Sequence, residues 1–147
     1  METGTVAHKL NDILEKTYDA EKGNKKAAEN ADSTALKAYF EKKAKERYDF
    51  GYALKAEIKA FGEDVDKGDS LTGKAHRTWM DIKPIFTLNN GEAMLEEALR
   101  GEKASIVHYK QVLEGFSMPL STTALLKSQK GTIENGLSTI RTLEDLH

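Results

Sequence analysis

Residues 32–62 read DSTALKAYFEKKAKERYDFGYALKAEIKAFG, and the spacing of the apolar side chains in this stretch decides the fold. Leu36, Tyr39, Phe40, Phe50, Ala53, Leu54, Ile58 and Phe61 recur three and four residues apart, on one helix face that also carries Lys43, Glu46 and Glu57. Asp32-Ser33-Thr34 offers short side-chain oxygens to the orphan amides of a first turn, and Gly62 stands where a left-handed residue ends a helix. Upstream, Leu10, Ile13, Leu14, Thr17, Ala20, Asn24, Ala27 and Ala28 repeat the pattern over residues 6–31. Downstream, Met94, Leu95, Ala98, Leu99, Glu102, Ser105, Ile106, Tyr109, Val112 and Leu113 predict a third helix over 92–114, closed by Gly115. Pro119 suits the first turn of a fourth, whose stripe is Thr122, Leu125, Leu126, Gln129, Ile133, Leu137, Ile140 and Leu143. No stretch reads as a strand. Four matched amphipathic stripes bury one another in an all-α antiparallel four-helix bundle, a single domain over residues 1–147. Its long connection, residues 63–91, carries an extra helix marked by Leu71, Ala75, Trp79, Ile82 and Phe86 and stopped near Pro84.

Composition narrows the chemistry. The 147 residues contain no cysteine, which removes disulfides, thiol nucleophiles, thiolate zinc sites and iron–sulfur clusters and leaves only oxygen and nitrogen ligands for any metal. A net charge of -2 argues against a general nucleic-acid partner. No apolar run approaches the roughly 20 residues of a membrane span, and the amino terminus lacks a signal-peptide core, so a soluble cytoplasmic protein is expected. No P-loop, dinucleotide fingerprint or Ser/His/Asp signature is present.

Acids that fall inside an apolar stripe need an explanation. Glu102 sits among Ala98, Leu99, Ser105 and Ile106; Glu46 lies between Lys43 and Phe50; Asp49 flanks Phe50 and Ala53; Glu21 borders Thr17, Asn24 and Ala28. All lie near the middle of their helices, so a bundle brings them to similar heights. Converging carboxylates repel unless a proton or a cation intervenes, which makes Glu21, Glu46, Asp49 and Glu102 the candidate ligands of a divalent metal. Bundle di-metal sites use Glu-x-x-His pairs. Here Glu46-x-x-Asp49 carries an acid in place of the histidine, and Glu134-x-x-Leu137 lacks it altogether. Such an oxygen-rich set suits hard cations such as magnesium, calcium or manganese. The competing reading makes the acids structural: Glu21 precedes Lys25 by four residues, Asp49 follows Lys45 by four and Glu46 follows Lys43 by three. Glu102 alone has no basic residue three or four positions away in its own helix.

The other polar residues read more simply. Lys42, Lys43, Lys45 and Arg47 form a cluster of the kind that usually covers a solvated face. Tyr18, Tyr39, Tyr48, Tyr52 and Tyr109 are rim residues by default, with Tyr109 on the face of Glu102 and within reach to donate a hydrogen bond to it. His108 is an edge or surface histidine, and Trp79 a core or interface anchor.

The stretches Ala27-Ala28-Glu29-Asn30, Glu46-Arg47-Tyr48-Asp49-Phe50, Ala75-His76-Arg77-Thr78-Trp79-Met80-Asp81-Ile82-Lys83 and Glu96-Glu97-Ala98-Leu99-Arg100-Gly101-Glu102 resemble the bacterial ferritin-like family known as domain of unknown function 2383. The resemblance implies a ferritin-like bundle, often linked by gene context to stress response, with no settled biochemical activity. Leu137 stands where that family commonly has a histidine, which takes a ligand away from a complete di-iron centre. The leading expectation is a non-catalytic or weakly metal-binding ferritin-like bundle, with iron, manganese, calcium or magnesium as the candidate ion. Two alternatives stand beside it: a di-metal oxidoreductase handling oxygen or peroxide, and a homo-oligomeric, most simply dimeric, assembly module that docks through the Trp79 helix.

Overall fold

The computed structural model describes residues 3–65 and 91–145, which form four helices and no strand. They are α1 (Thr3–Asn30), α2 (Thr34–Ala60), α3 (Gly91–Gly115) and α4 (Leu120–Asp145). The expected helix over residues 71–86, with Trp79, falls outside the described residues, as does His76.

Both ends of α2 follow from the sequence. The Ser33 side chain accepts a hydrogen bond from the Leu36 amide at 3.1 Å, satisfying one donor of the first turn. At the other end Gly62 adopts φ 76°, and the amides of Gly62 and Glu63 donate back to the carbonyls of Lys59 and Ile58, the pattern of a Schellman cap.

Helix α1 packs along α2 and also touches α3, while α4 packs along α3 and also touches α2. The helices therefore form a ring in the order α1, α2, α4, α3, with α2 and α3 facing each other across its diagonal. Three contacts fix the sense of α2 against α4. Glu57 accepts hydrogen bonds from Ser121 and Thr122, the Phe50 carbonyl accepts one from Gln129, and Lys43 approaches Gly136. Residue numbers fall on α2 as they rise on α4, so this pair is antiparallel. Helices α1 and α2, joined by three residues, are antiparallel too, with Gly51 against Leu14 and Thr17. So are α3 and α4, joined by a four-residue link. It follows that α2 and α3 run parallel, and that α2 ends at the opposite end of the bundle from the start of α3.

Two apolar clusters fill the interior. One joins Leu10, Ile13 and Leu14 to Phe50, Leu54 and Ile58, Tyr109 and Val112, and Leu126 and Ile133. The other joins Ala27 and Ala28 to Leu36, Tyr39 and Phe40, Met94 and Leu95, and Ile140 and Leu143. Between them the chain places Lys43, Glu46 and Arg47 on α2 and Glu102 on α3. The oily ends make the bundle, and the polar middle is where the candidate site lies.

Phe40 is fully buried, so Phe40→Ala should cost about 3–5 kcal/mol, against about 1 kcal/mol for the cap variant Ser33→Ala. Urea unfolding checks both: the two midpoints should fall in that order with unchanged slope.

Candidate functional site, a buried ion cluster

Helix α2 carries a seam at 36, 40, 43, 47, 50 and 54, alternating steps of four and three, and positions 43 and 47 of that seam are Lys and Arg. They are buried, with side chains only 8% and 3% exposed, because the helix phase leaves them no route to water. Burying a guanidinium and an ammonium is costly unless each meets an opposite charge. Arg47 meets two. Its Nη2 donates to Glu102 Oε1 across the diagonal, and its Nη1 donates to Glu46 Oε2 beside it. Lys43 Nζ donates to both carboxylate oxygens of Glu46 at 3.2 Å and lies 3.5 Å from Glu102 Oε2. The cluster thus holds two cations and two carboxylates and is formally neutral.

Neighbours complete it. The Arg47 guanidinium lies over the Phe50 ring, 5.4 Å from its centroid, so one face of the group is covered by an aromatic quadrupole. Gly136 on α4 leaves room for Lys43: a β-carbon there would sit 2.5 Å from the ammonium nitrogen. A glycine inside a helix costs about 1 kcal/mol relative to alanine, and this close approach is its reason. Gln129, also buried, accepts a hydrogen bond from the Tyr109 hydroxyl at 2.7 Å and donates to the Phe50 carbonyl at 3.3 Å, tying α3, α4 and α2 together one layer away.

The four candidate ligands separate. Glu46 and Glu102 both face Lys43 and Arg47. Glu21 pairs with Lys25 at 2.9 Å on the outer side of α1, and Asp49 pairs with Lys45 while 59% exposed. Among the described residues no group of three or more His, Asp or Glu side chains is disposed to hold a metal. Nor does the donor set at the centre fit a divalent ion. Both carboxylates are engaged by side-chain cations, and an added ion would leave a neutral buried cluster with two uncompensated positive charges.

Three expectations are corrected. Lys43 and Arg47 do not belong to a solvated face, unlike exposed Lys42 and Lys45 of the same basic run. The hydroxyl of Tyr109 donates to Gln129 rather than to Glu102. Tyr39 and Tyr109 are core rather than rim residues, each under a tenth exposed, whereas Tyr48 and Tyr52 lie largely in water. The residues missed as functional, Lys43 and Arg47, had a legible signal: they continue the four-three seam, and a charge on a seam needs an internal partner. His108, half-buried at the edge of α3, is held below the ordinary imidazole range, first by burial and then by Lys16.

The chain belongs to the family described as the domain of unknown function DUF2383, whose model matches residues 5–115. That match takes in nearly all of α1, the whole of α2 and α3, and the ion cluster. No curated protein matches the chain. No described helix is long and apolar enough to cross a membrane.

Burial raises the hydroxyl pKa of both Tyr39 and Tyr109 well above the usual tyrosine range, with the Glu102 carboxylate adding to the rise at each and Arg47 partly opposing it. The folded state therefore keeps protons that the unfolded chain gives up near pH ~10. The stability from these groups is complete below that pH and is lost as pH rises above it. A tyrosinate absorbance titration should show Tyr39 and Tyr109 ionising only together with loss of helical circular dichroism. Tyr39→Phe and Tyr109→Phe should each make the alkaline loss of stability less steep.

Proposed function

We propose that this chain is a non-catalytic, ferritin-like helical scaffold whose central level is closed by its own cations. Support for ferritin-like topology comes from the ring of helices with α2 parallel to α3 and a single long connection between them, the connectivity of ferritin-like bundles. The observation that carries the scaffold reading is the place of Arg47, buried between Glu46 and Glu102 where a di-metal bundle would put its ions. Oxidase chemistry needs open coordination positions on a redox-active metal, and here the interior carboxylates are already engaged by the guanidinium and the ammonium. The cluster then serves to fix which helices face each other, and its worth lies in the cost of breaking it.

That reading predicts an asymmetry between single and double variants. Arg47→Leu alone leaves Glu102 buried without its main partner and should cost about 3–5 kcal/mol. Arg47→Leu combined with Glu102→Leu removes one charge of each sign, keeps the Lys43–Glu46 pair, and should recover most of that loss. Chemical denaturation of the three proteins measures this. A companion experiment addresses metal directly: protein purified without chelator should contain no stoichiometric metal, and iron(II), manganese(II), calcium or magnesium should leave its melting temperature unchanged. Stoichiometric metal on the purified protein, or iron(II) oxidised faster with protein than in buffer, would defeat the scaffold reading.

A further inference from the structure

A second feature lies on the outside of the α1–α2 hairpin and owes nothing to the ion cluster. Tyr48 and Tyr52, one turn apart on α2, are 56% and 71% exposed and together form a pair of aromatic rings on the outer face of the helix. Beside Tyr48 a groove of about 550 Å³ follows the seam between the two helices, with the buried Ala28 and Ala44 in its lining. These small residues let another helix approach closely.

The rim of the groove shows what fits. It carries Glu21, Lys25 and Glu29 along α1 and Lys45, Glu41 and Lys37 along α2, with no net charge. The antiparallel register of the hairpin, set by the turn at residues 31–33 and by Gly51 against Thr17, puts these residues at three successive heights. Glu21 is level with Lys45, Lys25 with Glu41, and Glu29 with Lys37. The sequence of signs along one helix is the reverse of that along the other.

We propose that this face binds a second copy of the chain about a two-fold axis parallel to the bundle, with α1 of each copy seated against α2 of the other. That operation leaves heights unchanged and exchanges the two helices, so every rim acid meets a lysine of the other copy. The other face-to-face two-fold, across the helices, reverses the heights and sets Glu21 against Glu29, like against like. A partner of uniform charge would oppose half the rim. The area suffices: helices of 28 and 27 residues lying side by side present a face of about 40 by 20 Å, close to the ~800 Å² that each partner buries in a stable complex. Each present ion pair of these rim residues, Glu21 with Lys25, Glu29 with Lys26 and Lys45 with Asp49, has at least one largely exposed partner, although Glu21 itself is only 16% exposed, so exchanging partners costs little. Tyr48 and Tyr52 supply the aromatic anchors that such interfaces favour.

Light scattering coupled to size exclusion, run on the full chain over a range of concentrations, tests the proposal. The expected result is a dimer mass at micromolar concentration. Tyr48→Glu with Tyr52→Glu should give a monomer with unchanged helical content. Glu21→Lys alone and Lys45→Glu alone should each weaken association by about tenfold, and the double exchange should restore it, since swapping both signs keeps the pairing between copies. A monomer at high concentration would overturn the proposal and leave the face to a different partner. So would a dimer that survives the two tyrosine substitutions, or one that the double exchange fails to restore.

Discussion

The Arg47–Glu102 pair spans the diagonal of the bundle, and the mutual positions of the helices follow from it. Apolar contacts tell a helix which face to bury but discriminate weakly among neighbours and heights, because one leucine substitutes for another at modest cost. A buried charge is less tolerant. If α2 slid by one turn, about 5.4 Å, Arg47 would keep only Glu46 of its own helix, and Glu102 would be left buried without its guanidinium partner. The loss would be several kcal/mol, a large part of the total stability of a domain this size. The pair therefore sets height and diagonal partner together, which the oily ends of the bundle do not.

The same constraint accounts for residues that look out of place in isolation. Gly136 weakens α4 as a helix yet makes room for the Lys43 ammonium. Lys43 in turn neutralises Glu46 and approaches the oxygen of Glu102 that Arg47 does not bond. Gln129 and Tyr109 satisfy each other one layer away, so no polar atom of that pair competes for the cluster. With α2 and α3 parallel, the chain must leave one end of the bundle and re-enter at the other, so the connection of residues 61–90 is long for a topological reason.

Much of this was legible in the sequence. The stripes of all four helices, the Ser33 cap and the left-handed Gly62 follow from local rules that tertiary context did not override. Glu102 stood out because its own helix offers no lysine at pairing distance, and its partners indeed come from another helix. What stayed hidden was the source of the compensating cation. A sequence read one helix at a time shows Lys43 and Arg47 inside a run of lysines, and such runs are usually wet. Only the phase of the seam separates Lys43 and Arg47 from Lys42 and Lys45, and the diagonal that brings Glu102 to them is a property of the assembled bundle.

Phase also explains why similar lysine–acid pairings do different work in this chain. Lys43 with Glu46 and Lys45 with Asp49 are both helix-spaced ion pairs on α2, two residues out of step. The second lies in water, where screening and side-chain entropy leave an exposed pair worth a few tenths of a kcal/mol. The first lies in a medium of low dielectric, where losing one partner strands a charge and costs roughly ten times as much. Two residues advance a helix by about 200°, enough to carry a side chain from the core to the solvent. An acid on such a bundle is therefore assigned its role by its angle around the axis before its chemistry is considered. By that measure Glu46 and Glu102 hold the interior together, while Glu21 lies at the rim of the outer groove and Asp49 in open water.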